Sequence, residues 1–218
     1  MNGAPQAVLF DMDGTLFDSE VLWDVAIKEL AASYGAVVPD ETRLAMVGTS
    51  MYDSMQLLHH GIGQPWRDGP ASAAWINDRV GQLFETSLVW RPGARELLHE
   101  VRAAGVPTAL VTATQRRLVD VAVRTAGRHN FDVLVCGDEV THTKPHPEPY
   151  ETAARLLGVD ISRCIAIEDS PTGIASALAA GAMVLAIPHH VPLIPRPRVT
   201  LRETLAGIGL TDLSILTR

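Results

Sequence analysis

Four carboxylate side chains stand directly after short apolar runs in this chain: Asp11, Asp13, Glu168 and Asp169. A single carboxylate after a strand can be simply a turn residue or a helix cap, with no role in chemistry. Four such groups at one edge of a sheet would repel one another unless a cation lay among them. An oxygen-only donor set, with no nearby Cys or clustered His, favours a hard cation, Mg²⁺ before Zn²⁺. The sequence therefore predicts a Mg²⁺ site.

A lysine and two threonines are placed to join the carboxylates. Thr112, Ala113 and Thr114 follow the apolar sequence TALV, and Lys144 precedes a predicted helix. If Asp13 is protonated, the other three carboxylates, Mg²⁺ and Lys144 carry no net charge together, so a phosphate dianion could enter. Without Mg²⁺ the same groups would carry a charge of −2, which disfavours an anion. The hypothesis that this site binds a phosphate group therefore requires Mg²⁺.

Two other metal sites are not expected. A calcium loop starting at Asp11 fails because Gly14 comes too early and the apolar Leu16 stands where a ligand should be. His142 and His146 have the spacing of a metal-binding pair, but Lys144 lies between them in the sequence and would repel a cation.

The elements that must position these residues alternate along the chain. Apolar runs at 7–10, 108–112, 131–136, 164–167 and 183–187 lack polar alternation and predict strands covered on both faces. Helical patterns at 94–103, 116–125, 148–157 and 172–180 lie between them. This alternation predicts an α/β fold with a doubly wound, Rossmann-like parallel sheet. In such a sheet, ligands bind at the carboxyl ends of the strands, where the polar residues above are found.

Residues 19–90 interrupt the alternation, since they contain no convincing strand and several helical patterns. We expect residues 1–18 and 91–218 to form the α/β core and 19–90 to form an inserted helical cap. After the last predicted strand, the proline-rich stretch 188–197 is expected to be a surface connection, followed by a final helix near 202–205.

Composition excludes several classes of protein. A chain of 218 residues with 47% hydrophobic and 20% charged residues is long and apolar enough for a full core, so disorder is not expected. A net charge of −7 disfavours nucleic-acid binding, and no apolar run approaches the length of a membrane span. The start of the chain lacks a secretory pattern, so a cytoplasmic protein is expected. Cys136 and Cys164 lie in apolar runs and are expected to be structural.

The chain resembles the haloacid dehalogenase (HAD) superfamily of phosphohydrolases, whose four signatures match here in order. They are the sequence DMDGT at 11–15, Thr112, Lys144 and the pair Glu168-Asp169. The inserted stretch is similar to the small helical cap of the β-phosphoglucomutase-like subfamily. Within that group, the chain most resembles sugar-phosphate phosphatases of the 2-deoxyglucose-6-phosphate or hexitol-phosphate type.

The resemblance implies roles for individual residues. Asp11 would be the nucleophile that forms an aspartyl-phosphate, and Asp13 would be the general acid and base. Thr112 would hydrogen-bond a phosphoryl oxygen, and Lys144 would stabilise the charge on the nucleophile and the phosphoryl group. The ligands of Mg²⁺ would be Asp11, the main-chain carbonyl of Asp13, Asp169 and Glu168. Dehalogenases lack a carboxylate at the position of Asp13, so a phosphatase or phosphomutase is favoured.

Six further residues are expected to bind substrate: Gly14, Thr15, Glu20, Ala113, Thr114 and Ser170. Glu20 is equally explained as an acidic residue at a helix start.

Trp23 and Met51 stand where β-phosphoglucomutase has a functional His and Arg, which disfavours mutase activity. The expected function is Mg²⁺-dependent hydrolysis of a small sugar or polyol phosphate by a monomer or weak homodimer. The alternatives are a hexose phosphomutase and a protein that binds a phosphorylated ligand without turnover.

Overall fold

The structure of this protein is a computed structural model that describes residues 4–46, 49–189 and 191–216. The chain divides into two compact units. The first combines Met1–Asp18 with Val89–Arg218, and the second is Ser19–Leu88. The role of the second unit as a substrate cap stays a prediction.

The first unit contains a sheet whose six strands, within the described residues, all run parallel. In chain order they are β1 (Val8–Phe10), β2 (Thr108–Val111), β3 (Val133–Val135), β4 (Ile165–Glu168), β5 (Met183–Ala186) and β6 (Val199–Leu201). Their order across the sheet is β3-β2-β1-β4-β5-β6, so the direction of winding reverses between β1 and β4. The predicted doubly wound α/β fold is confirmed, and this reversal is the place where such sheets bind ligands.

Helices connect these strands and also form the second unit. In chain order they are α1 (Glu20–Ser33), α2 (Asp40–Met46), α3 (Met51–Gly61), α4 (Gly69–Ser87), α5 (Ala94–Ala103), α6 (Arg116–Ala126), α7 (Glu148–Leu157), α8 (Pro171–Ala180) and α9 (Leu210–Leu216). In the described part of the chain, no helix is long and apolar enough to cross a membrane.

The central strands are buried along their whole length, as their unbroken apolar sequences predict. Helices α7 and α8 cover part of the sheet with small and aromatic side chains, among them Tyr150, Ala153 and Ala177. Gly158 ends α7 in the left-handed conformation, at a φ of 69°, which a residue with a side chain adopts only at a cost. The core therefore fixes the ends of the three strands β1, β2 and β4 and the starts of the two helices α7 and α8, which carry the predicted site.

The end of the first unit differs from the prediction. Residues 199–201 form a sixth strand, β6, and no helix is found at 202–205; the last helix is α9. Strand β6 is short and only partly buried, so it lacks the apolar run by which the other strands were recognised. Residues near Leu205 instead pack as a turn on Gly93, where a Cβ atom would lie 2.2 Å from the Leu205 carbonyl carbon.

The second unit is a group of four helices in the described residues, held mainly by the pairing of α1 with α4. Ile27 and Leu30 of α1 and Ile76 and Val80 of α4 are buried. Arg79 of α4 forms a bidentate ion pair with Glu29 of α1, with nitrogen–oxygen distances of 2.5 and 3.0 Å. The expectation of several helices over residues 19–90 is confirmed, and the shortest of them is the seven-residue α2.

Both cysteines are buried and free. Burial raises the pKa of the Cys136 thiol to about 12 and that of Cys164 to about 11. Both thiols therefore stay protonated at neutral pH, as the structural interpretation of these residues expects.

Candidate active site

A buried lysine joins three strand ends at the point where the sheet reverses its winding. Lys144 Nζ donates to Asp11 Oδ1 at 2.6 Å, to Glu168 Oε1 at 2.6 Å and to the main-chain carbonyl of Val111 at 2.9 Å. The sheet register explains this set, since Phe10 at the end of β1 is aligned with Leu110 of β2 and Ile167 of β4. The next residue of each strand therefore presents one acceptor to the three N–H donors of the lysine.

Burial and charge act together on these groups. The side chains of Lys144, Asp11 and Glu168 are only 6%, 8% and 0% exposed. Burial raises the pKa of Asp11 to about 7, against the opposing effect of Lys144 and with smaller contributions from Glu168 and Asp13. Burial disfavours the charged form of Lys144, but the carboxylates of Asp11 and Glu168 outweigh it and raise the pKa of the lysine. Lys144 is therefore a permanent cation beside Asp11.

Glu168 is held by the start of α8. Its Oε2 accepts from the Asp169 N–H at 3.2 Å and from the Ser170 hydroxyl at 3.2 Å. Ser170 also caps α8, because its hydroxyl accepts the Gly173 N–H at 3.1 Å. A Cβ atom at Gly173 would lie 1.9 Å from Glu168 Oε1, so only glycine leaves room for this carboxylate. The predicted substrate ligand Ser170 thus has a structural role as well.

Tyr150 is a member of the site that the sequence did not reveal. Its hydroxyl donates to Glu168 Oε1 at 2.7 Å, and the residue is fully buried. Burial, followed by the charges of Glu168 and Asp11, raises the pKa of Tyr150 well above its usual range, so the hydroxyl stays a donor. Its position on the first turn of α7, six residues after Lys144, is the signal that could have identified it.

We expect Tyr150→Phe to lower the free energy of unfolding by about 1–3 kcal/mol, because a buried carboxylate loses one of its donors without a change in packing. Urea denaturation followed by circular dichroism measures this. Tyr52→Phe is the matched control, since Tyr52 is 66% exposed, and should change stability by less than about 0.5 kcal/mol. Equal stability of the Tyr150 variant and the wild-type protein would contradict the assigned hydrogen bond.

Asp13 is held by two hydroxyl groups from the loop after β2. Thr114 Oγ1 donates to Asp13 Oδ2 at 2.6 Å, and Thr112 Oγ1 donates to the same oxygen at 3.3 Å. The Thr114 N–H donates in turn to Thr112 Oγ1 at 3.0 Å. The carbonyl of Ala113 lies so close to Gly137 that a Cβ atom there would be 2.0 Å away. The threonine hydroxyls therefore fix the orientation of the Asp13 carboxyl.

Asp169 is held by the turn after β1. Thr15 Oγ1 donates to Asp169 Oδ1 at 3.2 Å, and both side chains are buried. Gly14 has a φ of 79°, and a Cβ atom at this residue would lie 2.2 Å from Asp169 Oδ2. The predicted substrate ligands Gly14 and Thr15 thus position a carboxylate of the site, and any contact of theirs with substrate stays a prediction. Glu20 begins α1 of the second unit, and its substrate role also stays a prediction.

The carboxylates form a donor set suited to a hard cation. Asp11, Glu168 and Asp169 each offer a carboxylate oxygen, and these oxygens lie within 4.8 Å of one another. All three residues are buried, and with Lys144 they carry a net charge of −2 when ionised. A divalent cation would balance that charge, and oxygen ligands are those that Mg²⁺ prefers. The residues present therefore fit Mg²⁺.

The chain is similar to known proteins over most of its length. A family model described as haloacid dehalogenase-like hydrolase matches residues 5–181. The chain is 30% identical over 215 residues to hexitol phosphatase B of Escherichia coli (strain K12), covering 97% of this chain and 94% of that protein. It is 31% identical over 178 residues to a phosphorylated carbohydrates phosphatase of Thermotoga maritima, covering 81% of this chain and 82% of the relative.

A solved structure extends the comparison to the fold. The crystal structure of CbbY from Rhodobacter sphaeroides in complex with phosphate has a TM-score of 0.82 to this chain. The two sequences are 28% identical, and the match covers 96% of this chain and 99% of CbbY.

Proposed function

Because this chain belongs to the haloacid dehalogenase-like hydrolases, we propose that it is a Mg²⁺-dependent phosphatase of small sugar or polyol phosphates that works through a phosphorylated Asp11. The contact between Lys144 and Asp11 carries this proposal, because a permanent cation lies against a buried carboxylate at the edge of the sheet where doubly wound folds bind ligands. The relatives named hexitol phosphatase and phosphorylated carbohydrates phosphatase support the substrate class.

In the first step, a carboxylate oxygen of Asp11 attacks phosphorus. The new Asp11 oxygen–phosphorus bond forms while the bond from phosphorus to the ester oxygen breaks, and the electron pair of the broken bond leaves with the alkoxide. Lys144 donates to Asp11 Oδ1 and therefore orients this carboxylate. Its charge also offsets the negative charge of the incoming phosphoryl group.

Asp13 moves the protons of the reaction. In its protonated form, it gives a proton to the departing alkoxide. It then takes a proton from the water that attacks the phosphorus of the aspartyl-phosphate, which releases inorganic phosphate and restores Asp11. Hydrogen bonds from Thr112 and Thr114 to Oδ2 keep this carboxyl in one orientation during both transfers.

Asp11, Glu168 and Asp169, with the main-chain carbonyl of Asp13, are the groups that would hold Mg²⁺. When bound, the ion supplies positive charge that neutralises phosphoryl oxygens and allows a dianion to enter the site. Lys144 alone leaves the buried carboxylates with a surplus of negative charge.

The test is inorganic phosphate release from a panel of hexose, hexitol, glycolate and nucleotide phosphates, each with Mg²⁺ or with EDTA. Release that requires Mg²⁺ and is fastest for hexose or hexitol phosphates supports the proposal. Fastest release from a nucleotide or glycolate phosphate would overturn the substrate class. Interconversion of hexose phosphates that depends on a bisphosphate, without net phosphate release, would identify a mutase instead.

Asp13→Asn should separate the two proton transfers. Turnover of a sugar phosphate should fall about 10²–10⁴-fold, because its alkoxide needs a proton. With p-nitrophenyl phosphate, whose leaving group departs unprotonated, the variant should release one equivalent of p-nitrophenolate in a burst and then stall as the phosphoenzyme. Stopped-flow absorbance measures the burst. Sugar-phosphate turnover at the wild-type rate would contradict the role of Asp13.

A further inference from the structure

A second group of side chains able to bind a metal ion lies outside the carboxylate site, on the loop before α7 and on the first residue of that helix. We call His142, His146 and Glu148 the histidine–glutamate cluster. Each offers one ligand atom, and the three atoms lie within 4.8 Å of one another. The two imidazole rings are already adjacent, with centroids 4.5 Å apart and an interplanar angle of 32°. Both histidines are exposed, so an ion in solvent can reach them.

Glu148 is fixed as the anionic member of the cluster. Its carboxylate accepts the Thr141 N–H at 2.7 Å and the His142 N–H at 2.9 Å. These hydrogen bonds, with that from the His142 ring, lower the pKa of Glu148, so it is ionised at neutral pH. His142 Nδ1 lies 3.0 Å from Glu148 Oε2, so a nitrogen and an oxygen ligand are already side by side. Little reorganisation of these two groups is needed to bind a cation.

From the sequence alone, the charge of Lys144 argues against a metal ion at His142 and His146. The structure removes that argument. Lys144 lies between the histidines in the chain, but its ammonium is buried and bonded to the carboxylates of Asp11 and Glu168. Those carboxylates neutralise its charge. The lysine therefore presents no free positive charge to an ion held by the exposed histidine rings.

We propose that the histidine–glutamate cluster binds a divalent transition-metal ion of the Zn²⁺ type. Two imidazole nitrogens and one carboxylate suit Zn²⁺ and its neighbours, whereas Mg²⁺ prefers oxygen ligands. Binding replaces the contact between His142 Nδ1 and Glu148, and the proton on that nitrogen moves to Nε2 or to solvent. The hydrogen bond from the Glu148 N–H to His146 Nδ1, at 3.2 Å, is long and is exchanged at small cost.

The histidine–glutamate cluster lies next to the loop that carries Lys144, so a bound ion should affect the stability of that loop. His142 and His146 stand two residues before and two residues after Lys144. A bound ion would tie both sides of the loop that carries the lysine to the start of α7. Binding should therefore raise the thermal stability of the native protein.

Isothermal titration of the whole protein with ZnCl₂, with Mg²⁺ in large excess to fill the carboxylate site, tests this proposal. We expect one equivalent of Zn²⁺ to bind and the melting temperature to rise. His142→Gln and His146→Gln should each weaken binding at least about tenfold. His99→Gln, which changes an exposed histidine of α5, should leave binding unchanged.

Asp11→Asn distinguishes the two sites, because Zn²⁺ bound by the histidine–glutamate cluster does not need Asp11. Retained binding in this variant, with loss in both histidine variants, supports the proposal. Wild-type affinity in His142→Gln and His146→Gln would overturn it. Absence of Zn²⁺ binding to the wild-type protein, or loss of binding in Asp11→Asn alone, would overturn it as well.

Discussion

Asp11→Asn should lower phosphate release by at least about 10⁴-fold, because the amide has no anionic oxygen to attack phosphorus. The variant keeps the size of the side chain, and Asn can still accept a hydrogen bond from Lys144. Burial already disfavours the charged form of Asp11, as its pKa of about 7 shows, so a neutral group is tolerated at this position. The loss of activity should therefore occur in a folded protein.

The measurement is steady-state phosphate release at saturating Mg²⁺, with circular dichroism to verify folding. Asp120→Asn is the matched control, since this aspartate of α6 has a side chain that is 58% exposed. The control should keep wild-type activity. A folded Asp11→Asn protein that retains most of its activity would refute the role of Asp11 as nucleophile.

Lys144→Met should destabilise the protein by about 3–5 kcal/mol and also abolish turnover. Methionine fills similar space but leaves Asp11 and Glu168 as adjacent buried carboxylates without their shared cation. The pKa of Asp11 should then rise further, because Lys144 is the group that lowers it. Asp11, the proposed nucleophile, would then be largely protonated at neutral pH.

Urea denaturation at pH 7 measures the loss of stability. Lys28→Met provides the control, because Lys28 is 64% exposed and forms a surface ion pair with Asp24. This variant should lower the free energy of unfolding by less than about 1 kcal/mol. Adding Glu168→Gln to Lys144→Met should recover part of the stability but none of the activity. Equal losses in the free energy of unfolding for Lys144→Met and Lys28→Met would contradict a strong contribution of the buried ion pairs to stability.

The sequence was most informative where unbroken apolar runs end in polar residues. The runs before Asp11, Thr112 and Glu168 predict buried parallel strands, and such strands bring their carboxyl ends to one edge. This reasoning was enough to expect Lys144 near the carboxylates. It could not supply the register of β1 with β2 and β4, which decides that the lysine meets one acceptor from each of the three strands.

Other parts of the site depend on tertiary packing that leaves no local signal. Tyr150 looks like an ordinary apolar residue of a helix, and only the approach of α7 to β4 gives its hydroxyl a carboxylate partner. Gly173 reads as an unfavourable residue within a helix until Glu168 is seen to occupy the space of its missing side chain. Strand β6 was missed for a similar reason, because pairing with β5 rather than an apolar run defines it.

Transfer of a phosphoryl group from substrate to Asp11 is the central claim, and rapid acid quenching with ³²P-labelled hexitol phosphate tests it most directly. We expect acid-stable label on the protein before phosphate release reaches its steady rate, loss of that label when unlabelled substrate is added, and its location at Asp11 by peptide mapping. Phosphate release at the normal rate with no label on the protein, or label on another residue, would contradict this account.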